Sequence, residues 1–408
     1  MRLAYLICDF GVHLFGPKGA SVHVRETTNA LRLLGHDVRV FAPSVLAPDN
    51  EGATDVRHIP LDGFAAEAVE LLAHEDARLP EHLAREWRAL LYAERAQRVL
   101  APELADYRPD AIYERYSLFA YAGVELSRQL RVPLLLEVNA PLTDEQARHR
   151  VLVLRATAEE LERRILRSAD ALLVVSTALA EYAEGLGVAP GRITVMPNAV
   201  DAERFHPRVS GAAVRARYGL DGKRVIGFAG SLKPWHDLDG LASAVGLVRR
   251  EDPSAHLLVV GEGPGLAALR DLDARFVSCA GAVPHQEMPA FLAAMDVIAV
   301  PYPAGAEAYF SPVKLFEAMA MGKPVVGARL GQVGELLADG RTGLLYEPGD
   351  PRDLARKLRA VLDMTDRGAS LGAAAREWVV ANRTWDRNAR RIVEIARSLA
   401  ASPAALIG

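Results

Sequence analysis

The chain has 408 residues, of which half are apolar and a quarter charged, as is typical of folded globular proteins. Its 48 basic and 52 acidic residues give a net charge of −4, which excludes a strong basic field for holding nucleic acid. Two cysteines are too few for a disulfide framework or a cysteine-based zinc site, and no apolar run reaches the ~18 residues of a membrane span. We expect a cytoplasmic protein, and its composition is compatible with a peripheral position on the inner face of the membrane.

Apolar runs alternate with amphipathic segments along the first half of the chain. Near-continuous apolar runs are typical of strands that are covered on both faces of a parallel sheet. In this half they are Leu3 to Cys8, Val38 to Phe41, Ala111 to Tyr113, Leu134 to Val138, Ala171 to Val175 and Ile193 to Met196. The predicted helices between them are Ser21 to Leu34, a segment around Leu83 to Leu91, and Thr143 to Ser168. This alternation predicts a doubly wound α/β domain over residues 1–205.

The same alternation returns in the second half of the chain. The segment from about Phe205 to Gly222 lacks the pattern, which favours an interdomain connection. The predicted strands that follow are Val225 to Ala229, His256 to Val260, Val297 to Val300, Pro324 to Gly327 and Leu344 to Tyr346. We therefore expect a second domain over 206–384, and a C-terminal helix, about 385–408, that can pack back on the first domain. Two such domains would bind ligands in a cleft at the carboxyl ends of their strands.

The strongest local signal is a helix start in the run from Tyr309 to Val326. The sequence places Ser311 as its N-cap, Pro312 as its first residue and Gly322 as its stop, directly before a strand. A helix that starts after a loop exposes unpaired N–H groups and a positive dipole end. The start of this helix is therefore suited to an anion such as a diphosphate.

Two features inside this helix point to a nucleotide. The amides near Val313, Lys314 and Leu315 can hold the diphosphate, and Glu317 lies one turn further on, where its carboxylate can accept hydrogen bonds from a ribose. Taken alone, the same residues also suit a well-capped helix with a surface lysine and glutamate.

Six segments together resemble a known family. They are SPVKLFEAMAMGKPVV from Ser311, GSLKPWHD from Gly230, GEGPG from Gly261, GAVPHQEMPAFLAAMDVIAVPYP from Gly281, MPNAVDAERFHP from Met196 and GHDVRVFAP from Gly35. In this order and spacing, over nearly the whole chain, they resemble the retaining glycosyltransferases of family 4. The resemblance implies the α/β GT-B fold, with two Rossmann-like domains facing across a cleft. It also implies a nucleotide-sugar donor on the C-terminal domain, and a small-molecule, glycan or lipid-linked acceptor on the N-terminal one.

The resemblance assigns roles to the helix start. A glutamate at the position of Glu317 binds the ribose in this family, and a partner glutamate normally stands eight residues earlier. This sequence has Tyr309 there, followed by Phe310, and Glu307 lies two residues out of register. The pattern leaves open whether Tyr309 or Glu307 replaces the missing carboxylate. The segment from Gly281 adds Gly281 and Val283 to the expected donor contacts.

A second donor segment begins at Gly230, directly after a predicted buried strand. A glycine turn lets the backbone approach a phosphate, and a cation there would neutralise the leaving diphosphate. The family usually has arginine at the position of Ser231 and lysine at that of His236. Because both are replaced, Lys233 is the nearest cation that can take over this catalytic role. The alternative is an exposed loop lysine beside a packing histidine.

In the first domain the resemblance points to three further places. The loop that contains Gly16, Gly19 and Ala20 would close over the donor phosphates. Asn139 follows a predicted strand and is the candidate to replace a sugar-contacting, catalytic histidine of the relatives. Arg115 and Tyr116 follow another strand and are candidate acceptor contacts. Ordinary turn and helix-entry residues are the alternative at each place.

The resemblance implies front-face attack that retains the anomeric configuration. No His, Asp and Glu cluster has metal-ligand spacing, so we expect no metal and no other cofactor, with the negative charge held by amides and Lys233. Two alternatives stay open: a sugar-nucleotide epimerase on the same fold, and a non-catalytic subunit that binds nucleotide sugars. The sequence leaves the donor base and sugar, the acceptor and the oligomeric state undetermined.

Overall fold

The computed structural model describes residues 1–16, 19–45, 55–74, 81–266, 269, 276–307 and 309–401. The chain forms two compact units, one of Met1–Pro197 with the segment from Trp385 onward, the other of Asn198–Thr384. Within the described residues, no helix has both the length and the apolar composition needed to cross a bilayer.

The boundary between the units lies at 197/198, earlier than the expected 205/206. Asn198 belongs to the second unit because its backbone N–H and its side-chain amide donate to the hydroxyl and carbonyl oxygens of Ser311, over 2.9 and 2.7 Å. The segment 205–222 is therefore part of the second unit rather than a connection, and it contains the helix Ala212–Arg217, with Val214 buried.

The first unit contains a sheet of seven parallel strands in the order β3-β2-β1-β4-β5-β6-β7. The strands are β1 Arg2–Ile7, β2 Asp37–Ala42, β3 Val56–His58, β4 Ala111–Arg115, β5 Leu134–Val138, β6 Ala171–Val174 and β7 Ile193–Val195. The α-helices are Gly19–Leu33, Gly63–His74, Glu81–Tyr107, Ala122–Leu130, Leu142–His149, Arg155–Ser168, Thr177–Gly185 and Trp385–Ala400. The strand order reverses between β1 and β4, and the loops after these two strands, at the carboxyl edge of the sheet, are the expected place for a ligand.

The prediction of one helix from Thr143 to Ser168 is wrong. The chain forms Leu142–His149 and Arg155–Ser168 instead. Glu86, from the Glu81–Tyr107 helix, is buried, and its two carboxylate oxygens accept the backbone N–H groups of Val153 and Leu154 over 2.8 and 2.7 Å. A carboxylate at this position stabilises a new helix start. N–H groups at a helix start have no carbonyl partner within the helix, and the carboxylate accepts them instead.

The C-terminal helix Trp385–Ala400 packs on the first unit. It lies against the Gly19–Leu33 helix, where the rings of Trp385 and His23 meet edge to face with centroids 5.0 Å apart. Asn388 also donates to the carbonyl oxygen of Pro197 over 2.9 Å. These contacts give the end of the chain a fixed place in this unit.

The second unit contains six parallel strands in the order β10-β9-β8-β11-β12-β13. The strands are β8 Arg224–Ala229, β9 Ala255–Val260, β10 Val277–Cys279, β11 Val297–Val300, β12 Val325–Ala328 and β13 Leu344–Tyr346. The α-helices include Ala212–Arg217, Leu238–Glu251, Met288–Ala294, Val313–Ala320, Gly331–Leu336, Pro351–Leu362 and Ala369–Asn382. As in the first unit, the order reverses beside the first strand, between β8 and β11. The loops after these two strands are therefore the expected place for a ligand.

Candidate functional site

Three loops at the carboxyl ends of neighbouring strands stack on one another in the second unit. The N–H of Gly230, after β8, donates to the carbonyl of Val260 over 2.9 Å, and the N–H of Gly261, after β9, donates to the carbonyl of Gly281, after β10, over 2.8 Å. Gly230 and Gly261 have φ of +145° and +141°, a conformation that favours glycine. A Cβ on Gly261 would lie 1.8 Å from the carbonyl oxygen of Gly230. The stacking therefore requires glycine.

The loop after β8 is held in shape by His236. Its Nδ1 lies 2.5 Å from the carbonyl oxygen of Ser231, and because a carbonyl only accepts, Nδ1 carries the proton. The ring is buried near Phe228 and Tyr302. Burial and the nearby charge of Lys314 lower the pKa of His236 to about 3. His236 is therefore neutral at physiological pH and brings no positive charge to this loop.

The other two predicted residues of this loop lie at its surface. Ser231 and Lys233 are both exposed, and the Nζ of Lys233 lies 6.0 Å from the ring centre of Trp235, which is itself 46% exposed. A lysine in this position is surrounded by water, which weakens its electrostatic interactions.

The helix start in the run from Tyr309 to Val326 differs in detail from the prediction. The helix is Val313–Ala320, with Pro312 in the N-cap position, so the sequence analysis placed the start one residue early. The hydroxyl of Ser311 does not cap the helix because it accepts the N–H of Asn198. The N–H of Leu315 donates to the carbonyl of Pro312 over 3.0 Å. The amides of Val313 and Lys314 are therefore the ones available to an anion.

Lys314 brings a buried ammonium group to the same place. Its Nζ atom is buried, lies 4.6 Å from the ring centre of Phe228 and 5.9 Å from that of Tyr302, and has no hydrogen-bond partner among the described residues. A Cβ on Gly230 would approach this atom to 2.9 Å. Burial lowers the pKa of Lys314 to about 7, although the charge of Glu317 acts to raise it. The sequence pointed to the backbone amide of Lys314 but not to its buried side-chain ammonium.

Glu317 is the end of a chain of three side chains. Its Oε1 accepts a hydrogen bond from His285 Nε2 over 2.8 Å, and the guanidinium of Arg204 donates to the other ring nitrogen of His285 over 3.1 Å. The bond from Arg204 makes Nδ1 the acceptor, which leaves the proton on Nε2. Glu317 is 7% exposed, so its carboxylate is held in one orientation. His285 lies in the segment that begins at Gly281. Its position in the sequence, 32 residues before Glu317, gave no sign that the two side chains are hydrogen-bonded.

Aromatic side chains form the other wall of this region. The ring centroids of Phe310 and Tyr302 are 4.7 Å apart, and Tyr309 meets Phe310 edge to face with centroids 6.0 Å apart. Val283 is half-buried against the hydrophobic core, and Glu307 is half-buried. Tyr309 and Phe310 thus form an aromatic cluster with Tyr302 shortly before the helix start, and the replacement of the missing glutamate stays open.

In the first unit a buried carboxylate organises the carboxyl ends of β4 and β5. One oxygen of Glu137 accepts from Arg115 over 2.5 Å and from the amide of Asn139, and the other accepts from His23 over 2.8 Å and from Tyr113 over 2.5 Å. Burial alone would raise the pKa of Glu137, but His23, Arg115 and Tyr113 lower it well below its usual range. Two predicted residues, Asn139 and Arg115, are thereby brought together by a glutamate that the sequence analysis did not select.

The remaining predicted residues of this unit have more ordinary surroundings. Tyr116 is 5% exposed, and burial beside Glu162 raises the pKa of its hydroxyl group far above the usual range, which gives no support to acceptor binding. The carbonyl of Gly16 accepts from Arg25 over 2.8 Å, which ties the loop to the Gly19–Leu33 helix. Gly19 is exposed and Ala20 half-buried at the start of that helix, and residues 17 and 18 lie outside the described part.

Metal-binding side chains are dispersed through the described ranges. No group of three or more His, Cys, Asp or Glu side chains is arranged there to hold a metal ion. That the reaction needs no metal stays a prediction.

Two family models match the chain, one in each unit. The family described as "Glycosyltransferase Family 4" matches residues 17–204, and "Glycosyl transferases group 1" matches residues 223–364. The first match covers most of the first unit and extends to residue 204, the second lies within the second unit, and together they cover most of the chain.

The chain is also similar in sequence to individual glycosyltransferases. The D-inositol 3-phosphate glycosyltransferase of Stackebrandtia nassauensis is 32% identical over 400 residues, which cover 91% of this chain and 84% of that protein. The GDP-mannose-dependent alpha-(1-6)-phosphatidylinositol monomannoside mannosyltransferase of Mycobacterium tuberculosis is 32% identical over 250 residues, 59% of this chain. The matched region spans 65% of the length of that relative.

Solved structures are similar over the whole chain. The Anabaena protein HepE, solved in complex with UDP and glucose, superposes with a TM-score of 0.72 at 20% identity, covering 98% of this chain and 100% of that one. The sucrose-phosphate synthase of Thermosynechococcus elongatus also has a TM-score of 0.72, at 22% identity and the same coverage. At this identity the likeness shows the fold, which is GT-B. With the full-length match above, it follows that the chain belongs to glycosyltransferase family 4.

Proposed function

We propose that the protein is a retaining glycosyltransferase that moves a hexose from a nucleoside diphosphate sugar to an acceptor hydroxyl. The observation that carries the proposal is the helix start at Val313, which combines two available amides, the oriented carboxylate of Glu317 and a buried ammonium that lies beside Gly230 of the stacked loops. Amides and cations suit a diphosphate, and a carboxylate suits the hydroxyls of a ribose. The names of the mycobacterial and Stackebrandtia relatives are those of enzymes that transfer sugars.

Each part of this site has a distinct role in donor binding. The amides of Val313 and Lys314 bind diphosphate oxygens at the positive end of the helix dipole. Glu317 accepts hydrogen bonds from the ribose, with its carboxylate held by His285. The glycine loop at Gly230 lets the backbone approach the phosphates without a side chain in between.

The reaction requires stabilisation of the leaving group. The bond between the anomeric carbon and the diphosphate oxygen breaks, and the oxygen keeps the electron pair. The acceptor hydroxyl attacks from the same face, and its proton passes to the leaving diphosphate. Positive groups that are fixed in advance stabilise the charge that develops on the diphosphate, so they lower the barrier more than they strengthen binding.

The acceptor and the location are the less constrained parts of the proposal. Asn139 and Arg115, held by Glu137, are the polar groups of the first unit that we assign to the transferred sugar and the acceptor. The acceptor is a small molecule, a glycan or a lipid-linked compound. We place the reaction in the cytoplasm, with peripheral contact to a membrane when the acceptor is a lipid, and without a metal cofactor.

A ligand panel and a product analysis test the proposal. Thermal unfolding is measured with UDP, GDP, ADP and TDP, because a ligand that binds only the folded state raises stability by RT ln(1 + [L]/Kd). The matching nucleotide sugars are then incubated with and without acceptors, and NMR gives the configuration of the product. Transfer with an unchanged anomeric configuration supports the proposal. Donor conversion without an acceptor would indicate an epimerase, and binding without transfer would indicate a non-catalytic subunit.

A further inference from the structure

Lys314 is the one charged group of the proposed donor site that the structure leaves buried and without a hydrogen-bond partner, among the residues described. An ammonium group has three N–H donors, and burying it without a partner is strongly unfavourable. The side chain that could have paired with it, Glu317, is instead bonded through Oε1 to His285. A protein that keeps such a group in its interior has a site prepared for an anion.

The position of the Nζ atom shows where that anion would lie. The Nζ lies over the ring of Phe228, 4.6 Å from its centre, and 5.9 Å from the ring centre of Tyr302. In front of it stands Gly230, where even a Cβ would come within 2.9 Å of the Nζ. The first amides of the Val313–Ala320 helix belong to the same turn of chain. The ammonium therefore lies beside the glycine loop, and the two available amides belong to the same residue and to its neighbour Val313.

The other candidate cations do not reach this position. His236 is neutral, with its protonated Nδ1 directed at the carbonyl of Ser231. Ser231 has no charge, and Lys233 is exposed beside Trp235. The two positions at which the family usually has cations are thus empty of charge in this chain.

We propose that Lys314 is the catalytic cation that binds the leaving diphosphate, from the helix start instead of the loop after β8. The inference rests on the proposed function and deepens it, because it names the group that stabilises the leaving group. It replaces the expectation from the sequence that Lys233 has this role. The nitrogen stays protonated during the reaction, while the diphosphate takes the electron pair of the broken bond.

Binding of a diphosphate should change the protonation of Lys314. The groups that surround Lys314 are Glu317 on its own helix, neutral His236 on the β8 loop and Tyr302 after β11, whose hydroxyl has a strongly raised pKa because it is buried. With a pKa of about 7, Lys314 is partly neutral in the free protein near neutral pH. A bound diphosphate favours the charged form, so binding takes up protons above pH 7.

Calorimetry at pH 8 tests both the binding of the diphosphate by Lys314 and the uptake of protons. UDP, GDP and inorganic pyrophosphate are titrated in two buffers of different ionisation enthalpy, since the difference in heat gives the number of protons taken up. The terminal phosphate of UDP and GDP is then largely ionised, because its second pKa is about 6, so the proton count is taken from these two ligands. We expect the wild type to take up a fraction of a proton per diphosphate. Lys314→Met should abolish this uptake, weaken binding at least tenfold and lower kcat about 100-fold. Lys233→Met is the matched control and should change binding less than threefold.

A stability measurement separates this role from a structural one. Lys314→Met replaces an unpaired buried charge by an apolar side chain of similar length, so the midpoint of thermal unfolding should rise by at least about 2 °C. Wild-type affinity and proton uptake in Lys314→Met would overturn the inference, as would their loss in Lys233→Met. Failure of the wild type to bind any of UDP, GDP, ADP and TDP would overturn the proposed function with it.

Discussion

His285 holds the carboxylate of Glu317 through a hydrogen bond of 2.8 Å from its Nε2 to Oε1. The proton is on Nε2 because the guanidinium of Arg204 donates to Nδ1. The ring of His285 also packs on Phe205, with centroids 5.4 Å apart. A carboxylate restrained in this way is oriented before a ligand binds, which lowers the entropy cost of binding.

The first prediction concerns this carboxylate. Glu317→Ala should weaken binding of the preferred nucleoside diphosphate by roughly 1.5 to 3 kcal/mol, about 10- to 150-fold, which is the usual range for a hydrogen bond to a charged group. Calorimetry measures the change. Glu287→Ala serves as control, because Glu287 is exposed and should leave the affinity unchanged. Equal affinities of wild type and Glu317→Ala would contradict the assignment to the ribose.

The strands were largely predictable because most of them are continuous apolar runs. Leu134–Val138 and Leu344–Tyr346 are buried throughout and agree residue for residue with the prediction. The two strands that the sequence analysis missed, β3 and β10, are three residues long and lie at the sheet edges. The first of them, Val56–His58, is half-buried or exposed throughout and carries two basic residues, so no apolar run marks it.

The site was predictable only where it follows from local sequence. Glu317 and the helix start could be found because loop, helix and strand follow one another in one short segment. The ammonium of Lys314 could not, since it lies against Phe228 on β8 and near Tyr302 in the loop after β11. The same holds for Glu137, whose partner His23 lies 114 residues away in the sequence.

The second prediction tests the stacked loops. Gly261→Ala should destabilise the second unit by roughly 2 to 3 kcal/mol, because alanine is strained at a φ of +141° and its Cβ would overlap the carbonyl oxygen of Gly230. Urea unfolding measures the loss. Gly246→Ala is the matched control: it lies in the Leu238–Glu251 helix with nothing near its Cβ, and should stabilise the unit by about 0.5 to 1 kcal/mol. A Gly261→Ala variant as stable as the wild type would show that the loops can separate freely.

The third prediction is that catalysis proceeds without a divalent metal. If the ammonium of Lys314 and the amides at Val313 hold the diphosphate charge, turnover should change less than twofold after exhaustive treatment with a chelator. The assay follows release of the nucleoside diphosphate in metal-free buffer. Activity that disappears with the chelator and returns with magnesium or manganese would contradict this prediction.

The fourth prediction concerns a second buried carboxyl group, which lies in the first unit. Glu114 on β4 is fully buried, with Cys8 Sγ 3.6 Å from its Oε1, and a Cβ on Gly123 would lie 1.9 Å from its Oε2. Burial raises the pKa of Glu114 to about 8. Below this pH the carboxyl group is neutral in the folded protein, whereas in the unfolded chain it ionises near pH 4.5.

The sign of the pH dependence follows from these two values. Between about pH 4.5 and 8 the folded protein holds one proton more than the unfolded chain, so this contribution to stability is complete at low pH and is lost as the pH rises through 8. Relative to Glu114→Gln, which stays neutral, the free energy of unfolding of the wild type should fall by about 1.4 kcal/mol per pH unit over this range. Urea unfolding of both proteins at pH 5, 6, 7 and 8 gives the difference directly. Parallel stability curves for the wild type and Glu114→Gln would mean that the carboxyl group is already ionised inside the folded protein.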